Sequence, residues 1–563
     1  MSWRRRIGAA GAGAIVTVAA VTGCAKSEDQ VPSIGYAIDN VLTTYNANTV
    51  DGAASGARQA FGRVLPGLSY LGPEGIALAD GDVGTAATAP GDALTISYKI
   101  NPAAVYSDGV PVTCDDLVLA WAAGSGRFTG PDGQQLFDSA SRAGYSDIDR
   151  VDCAPGAKDA TAVFAPGRAF AEWRGLFGAT ALMPAHVAAR AAGVPDVATA
   201  VRGDDPAALS RVADFWNNGW KLPVGELDPA LFPSAGPYRA ASYSPEDGLV
   251  LVANEKWWGN KPGTDRIVVW PKGTDLEEKM ASGDVDILDV GAGSVEGLDP
   301  GEGYDTVTEP SRSSEQLVLA TGGALGSAEA RRAFASCVPR QALFDTLGHP
   351  GYAPQSGLGS GVLNSRIVQP DTLLYGPVAG VAGNRYLQAD TGAASGHGPL
   401  TVRVGYLAPD ARRAATVAAI ATACEPAGIT VQDAGTADFA PSALAAGQVD
   451  ALLGGTASAP GAAGSDSLVP PVYSLAEGNR NNVGQFRNGR VTEIAGQLAV
   501  ETAQDRQLGL AVEAENILWG EMPSLPLFNE PRTTAVANGM HAAVPNPTAA
   551  GAGWNMDRWI LLR

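Results

Sequence analysis

The 563-residue chain holds only five cysteines and four histidines. No C-x-x-C occurs and no histidine stands close to a cysteine in sequence, so zinc and thioredoxin-type chemistry have no support. Charged residues are scarce at 17%, and the basic side is the shorter, with Lys+Arg 39 against Asp+Glu 59 and a net charge of −20. Such a polyanion is repelled by phosphate backbones, which excludes nucleic-acid binding. The G-x-S-x-G, H-E-x-x-H and G-x-x-x-x-G-K-[ST] signatures are all missing, which removes the positive case for an enzyme. Gly124-Ser-Gly126 and Gly291-Ala-Gly293 lack the third glycine of a dinucleotide loop and read as turns.

What is present is a chain too long for one ordinary core, 45% apolar, with turns made dense by 70 glycines and 38 prolines. Two or three lobes are expected. Arg4, Arg5 and Arg6 precede an apolar run from Ile7 to Ala20, then Val21-Thr-Gly-Cys24 and a polar stretch. A basic start, a short apolar run and a small-residue site describe an export signal, and the run is too short to span a bilayer. Cys24 after Thr-Gly resembles a bacterial lipobox. The resemblance implies cleavage before Cys24, diacylation of its thiol and an anchor on the extracytoplasmic face of the cell membrane. An ordinary secretory signal with an incidental cysteine is the alternative. Beyond Cys24 remain Cys114, Cys153, Cys337 and Cys424, an even number that suggests disulfides in an exported protein and allows three pairings.

Periodicity gives an α/β chain with mixed sheets covered by helices. Strands are expected over Ser33 to Ile38, Ala93 to Ile100, Ala240 to Asn254, Asp265 to Trp270, Leu400 to Tyr406, Ile429 to Asp433 and Leu525 to Phe528. Helices are expected over Ala53 to Leu68, from Thr113, over Asp275 to Ser282, Ala328 to Thr346, Ala411 to Ala427 and Leu498 to Trp519. The stretches 286–312 and 353–398 read as irregular.

Six segments then resemble, in order, the family-5 extracellular solute-binding proteins of ABC importers, which include oligopeptide- and dipeptide-binding proteins. They are Ser107-Asp-Gly-Val-Pro-Val-Thr-Cys-Asp-Asp-Leu-Val118, Phe232-Pro-Ser-Ala-Gly-Pro-Tyr238, Asn254 with Trp257-Trp-Gly259, Ala281-Ser-Gly-Asp-Val-Asp286, Arg331 to Arg340 and Glu521-Met-Pro-Ser-Leu-Pro-Leu-Phe528. The pattern is similar to that of lipoprotein members from high-GC Gram-positive bacteria. The resemblance implies a two-lobed periplasmic-binding-protein-like fold of type II, with an extra subdomain in lobe I and the ligand between the lobes. Transferred to this chain, 1–23 is the signal peptide and 24–34 a tether. Lobe I is 35–70, 225–312 and 524–563, the inserted subdomain 71–224, and lobe II 313–523. On that division, pairing Cys114 with Cys153 and Cys337 with Cys424 leaves the hinge free.

Ligand contacts are expected in three polar loops and at the crossing between lobes. Tyr45, Asn46, Asn48 and Thr49 follow the first strand, where open α/β sheets place a crevice. Ser313 and Glu315 sit at the crossing, and Asn481 and Asn482 occupy the place of a family loop. In peptide binders, the strand matching Asp450-Ala-Leu-Leu453 continues with Gly-Trp and an acidic stretch that pairs the peptide ammonium. Here Gly455 stands at the Trp position, Thr456 and Ser458 follow, Ser458 takes the place of the acid, and Asp466 is the next carboxylate. The expected function is that of a monomeric, lipid-anchored receptor without cofactor or metal. It captures a peptide or similar polar solute for the transmembrane subunits of an ABC permease. The alternatives are a receptor for glycan or cell-wall fragments and an exported hydrolase with an unrecognised active site.

Overall fold

The computed structural model describes residues 30–203, 205–455 and 469–563. Its frame is a mixed sheet of 11 strands. Ten of them are β1 (Ser33–Ile38), β2 (Tyr238–Ser244), β3 (Gly248–Ala253), β4 (Arg266–Trp270), β5 (Ile287–Gly291), β6 (Tyr304–Leu319), β7 (Leu400–Gly405), β8 (Ile429–Asp433), β9 (Ala451–Gly455) and β10 (Ser524–Ala537). Across the sheet they run β8-β7-β9-β6-β10-β5-β1-β4-β3-β2, with the two-residue strand Gly225–Glu226 outermost. β1 is parallel to both neighbours. Its side chains are buried on both faces, Ile34, Tyr36 and Ile38 in one core and Ala37 in another, as an uninterrupted apolar strand requires.

The two-lobed architecture follows from β6 and β10. They pair antiparallel from Tyr304↔Ala537 to Pro310↔Pro531, lose register over 311–313, and resume from Ser314↔Asn529 to Val318↔Ser524. Facing prolines supply no N–H to the ladder, so it is interrupted at the middle of both strands. On one side lie β5, β1, β4, β3 and β2. On the other lie β9, β7 and β8.

Between β1 and β2 the chain builds a separate four-stranded antiparallel sheet in the order Gly84–Ala89, Thr95–Ile100, Asp159–Phe164, Ile148–Asp152. The helix Cys114–Ser125 starts beside it with a capping box: Thr113 Oγ1 accepts from Asp115 N, and Asp116 Oδ2 accepts from Thr113 N at 2.9 Å. Cys114 is bonded to Cys153 across a Cα–Cα distance of 6.4 Å. Cys337 is bonded to Cys424 across 4.9 Å, tying Ala328–Cys337 to Ala411–Cys424. These are the expected pairings.

Several elements differ from their expected extent. The helix over 53–68 is two short ones, Val50–Ala53 and Ala57–Phe61, because Ser55 Oγ turns back onto Gly52 O and caps Ala57 N instead. The strand over 240–254 is the hairpin of β2 and β3, turned at Gly248, whose φ is 70°. The helix over 328–346 breaks at Val338-Pro339, since proline cannot continue the ladder. The stretch 286–312, expected to be irregular, contains β5 and the first part of β6. Among the described residues, no helix is long and apolar enough to cross a membrane.

Candidate functional site

Where β1 ends and β6 crosses, the two halves enclose a cavity of about 610 Å³. Asp39, Ser311, Ser313, Glu530 and Arg532 form its floor. One wall comes from the first half, with Thr49, Asp51 and Gln59, and from the inserted segment, with Asp138, Asn217, Asn218 and Lys221. The opposite wall holds Arg413, Asp438, Pro441 and the end of β9 at Leu452, Leu453, Gly454 and Gly455. The carboxyl end of a parallel strand between two parallel neighbours is where an open sheet leaves such a crevice.

Local capping sets up each wall. Thr49 Oγ1 accepts from Gly52 N at 3.1 Å and starts Val50–Ala53, which presents Asp51. Asp410 caps Ala411–Cys424, accepting from Arg413 N at 2.9 Å, and so directs Arg412 and Arg413 to the floor. There Arg413 Nη2 lies 2.9 Å from Glu530 Oε1, and Arg412 pairs with the buried Glu315. Arg532 Nη2 lies 2.6 Å from Asp289 Oδ1 and 3.6 Å from Asp39 Oδ1. Burial works against the Asp39 charge, but Arg532, Lys272 and the Gly291 N–H outweigh it and hold the carboxyl below its ordinary value. Burial likewise opposes charge on Arg412, and Glu315 and Asp410 keep it cationic. Burial pushes the Asp138 carboxyl up to about 6; Arg480 opposes the shift and Asp51 adds to it. Among the described residues, no group of three or more His, Cys, Asp and Glu side chains is arranged to hold a metal.

The halves also touch around the cavity. Asp51 accepts from Ser442 N at 3.2 Å and from Ser442 Oγ at 2.9 Å. Arg480 Nη2 donates to Gln135 O at 2.8 Å, and Gln135 Nε2 donates to Gly478 O at 2.6 Å. Arg168 Nη1 reaches Gly496 O at 2.8 Å.

The residues singled out in the sequence fall into three groups. Thr49, Ser313 and Gly455 line the cavity, while Asn481 and Asn482 line a smaller one of about 70 Å³. The two cavities share Ala54, Pro441, Leu452 and Gly455, so Thr49, Gly455, Asn481 and Asn482 border adjoining spaces. Tyr45, Asn46, Asn48 and Glu315 are turned into the protein. Tyr45 is fully buried against Phe61 and Phe232, and its hydroxyl donates to Pro233 O at 2.9 Å. Asn46 Nδ2 donates to Trp216 O at 2.9 Å and Asn48 Nδ2 to Thr180 O at 2.7 Å, so this loop fastens the inserted segment to the first half. Glu315 is fully buried below the floor with Arg412. Cys24, Thr456, Ser458 and Asp466 lie outside the described residues.

Gly455 has a steric cause. A Cβ there would fall 2.1 Å from Ser313 Oγ and 3.1 Å from Glu530 Oε2, so the Ser313 hydroxyl fills the space that a side chain here would need. Asp39, Asp138, Arg413, Glu530 and Arg532 were missed by sequence reasoning. Asp39 directly follows the first strand and Arg413 follows the capping Asp410, so both had a local signal. Asp138, between turns of the inserted segment, had none.

The sequence model described as "Bacterial extracellular solute-binding proteins, family 5 Middle" matches residues 82–469. The chain is 42% identical over 558 residues to a Mycobacterium tuberculosis protein named "Uncharacterized lipoprotein Rv2585c", covering 98% of this chain and 97% of the relative. It is 28% identical over 228 residues to the oligopeptide-binding protein OppA of Mycobacterium bovis, covering 40% of this chain and 32% of OppA. Among solved structures, it superposes on the periplasmic EDTA-binding protein EppA with a TM-score of 0.72 at 20% identity, covering 95% and 98% of the two chains. With the oligopeptide-binding protein AppA of Bacillus subtilis, the TM-score is 0.71 at 13% identity, covering 95% and 100%.

Proposed function

Because this chain belongs to the bacterial extracellular solute-binding proteins of family 5, we propose that it captures a peptide or a similar polar solute in the cavity between its halves and delivers it to the permease of an ABC importer. The family is one of binding proteins rather than enzymes. The observation that carries the reading is the cavity itself, placed at the interrupted β6–β10 crossing, where a change of angle opens or closes it. The name of the mycobacterial relative supports a lipid anchor through Cys24, which holds the receptor, as a monomer, beside its permease on the extracytoplasmic face. A receptor for glycan or cell-wall fragments is the second reading, favoured by Gly455, which leaves the crevice without the bulky side chain of the peptide-binder pattern.

The test is mass spectrometry of solute released from natively purified protein, followed by calorimetric titration of the identified compound. One-to-one binding of a peptide without turnover supports the reading. Recovery of a saccharide alone moves the assignment to the second. Multiple-turnover hydrolysis of the bound compound refutes both.

A further inference from the structure

The cavity lining is short of uncommitted positive charge. Among the described residues, Asp39, Asp51, Asp138, Asp438 and Glu530 face only Lys221, Arg413 and Arg532. Two of these cations are already taken, Arg532 by Asp289 and Asp39, and Arg413 by Glu530. Asp51 is held by Ser442. Asp138 enters no ion pair within contact distance among the described residues, although it is half-buried with only the Val50 N–H beside its carboxyl. Gln59, which is 6% exposed, donates through Nε2 to Asp289 at 3.1 Å, while its Oε1 accepts no hydrogen bond among the described residues. The walls therefore offer acceptors in excess of donors. A carboxylate drawn out of water with no ion-pair partner in contact is costly, and a charged amine supplies both that partner and the hydrogen bonds.

We infer, on the reading that this cavity holds the solute, that Asp138 is the carboxylate that anchors a positively charged amine of that solute from the wall built by the inserted segment. The anchor thus stands across the crevice from the end of β9 at Gly455, the segment after which the peptide-binder pattern puts its acid. Two charged groups act on Asp138, Asp51 on the helix Val50–Ala53 and Arg480 from the opposite half, and Lys221 lines the same cavity. Its backbone N–H is bonded to Asn217 Oδ1 at 2.8 Å, which fixes the position of the residue. Because burial and Asp51 hold the carboxyl up near 6, proton and amine compete for it in a mildly acidic range. Binding is strongest where the carboxyl is ionised and falls as pH drops through that value.

Titration of the full-length exported chain with trialanine, N-acetyl-trialanine and chitobiose tests this. The expected result is that trialanine binds, N-acetylation weakens binding at least tenfold, and affinity for trialanine falls between pH 7.5 and pH 5. Asp138→Asn should bring the free and acetylated peptides to the same affinity, and Asp138→Glu should keep most of the discrimination. The thermal midpoint of each variant reports whether it folds. Equal affinity for the two peptides in the wild type, or discrimination that survives in Asp138→Asn, overturns the inference. Binding of chitobiose without trialanine overturns it too, yet leaves the solute-binding reading standing. If none of the three probes binds, the inference falls, and the released-solute measurement decides separately on the wider reading.

Discussion

Hydrogen bonds join the halves alongside a shared apolar core, and Ser442→Ala removes one of them cleanly. Ser442 is the first residue of the helix Ser442–Ala445, its cap position is Pro441, and alanine is a better helix former, so the helix itself loses nothing. What disappears is the 2.9 Å bond from Ser442 Oγ to Asp51 Oδ2, while the backbone bond from Ser442 N to Oδ1 remains. A hydrogen bond to a charged acceptor contributes roughly 1.5–3 kcal/mol when sheltered, but Ser442 is exposed and water replaces it, which leaves about 1 kcal/mol. With RT near 0.59 kcal/mol, that is about a fivefold fall in the ratio of closed to open molecules. Single-molecule energy transfer reads this ratio directly, with dyes placed at Val224 and Leu373, which are 70% and 87% exposed on different halves. Gln135→Ala, which loses the bond to Gly478 O on the far side of the crevice, should add its effect independently. A closed-to-open ratio that stays within twofold of wild type in the combined variant would refute the view that these bonds contribute to holding the halves together.

Three further outcomes are expected. Replacing Cys337 and Cys424 together by serine opens a closure spanning 87 positions and should lower urea-unfolding stability by about 4 kcal/mol, with the inserted segment's own disulfide intact. Glu515→Leu strands the buried Arg366, now 2.9 Å from its carboxylate and stacked 4.1 Å over Trp519, and should cost about 3–5 kcal/mol; adding Arg366→Met should recover most of it. Gly455→Ala should destabilise the protein by about 1–3 kcal/mol through its clash with Ser313 Oγ, and Ser313→Ala should restore stability, both read as thermal midpoints.

Much of the framework was legible because it rests on local chemistry. The apolar run at Ser33 to Ile38, the Thr113/Asp116 cap and the alternation before Ile100 each produced the element expected. The long crossing strand β6 was not legible. Over Tyr304 to Glu315 it is polar and contains Pro310, and it is a strand because β10 and β9 supply its hydrogen bonds, which no property of its own residues announces. The loop Tyr45 to Thr49 shows the matching limit for the site. Its position after β1 was read correctly, but asparagines suited to a ligand's amides are equally suited to Trp216 O and Thr180 O, and the packed segment claims them first. Asp138 was invisible for the opposite reason: its importance depends on what surrounds it in space.

The place of β10 in the sheet bears on how an exported chain of this kind acquires its shape. β10 lies between β5 and β6, and is the strand by which the two halves become a single sheet. A chain delivered amino terminus first exposes β1, β5 and β6 long before 524–537 arrives, and during that interval the edges of β5 and β6 stand unpaired. Both disulfides, by contrast, join segments that have already emerged. In a chain that emerges in this order, the last stretch of the polypeptide is what joins the two halves into one sheet. A chain interrupted anywhere before 524 lacks the strand that β5 and β6 share, and leaves both edges open to pairing with other chains.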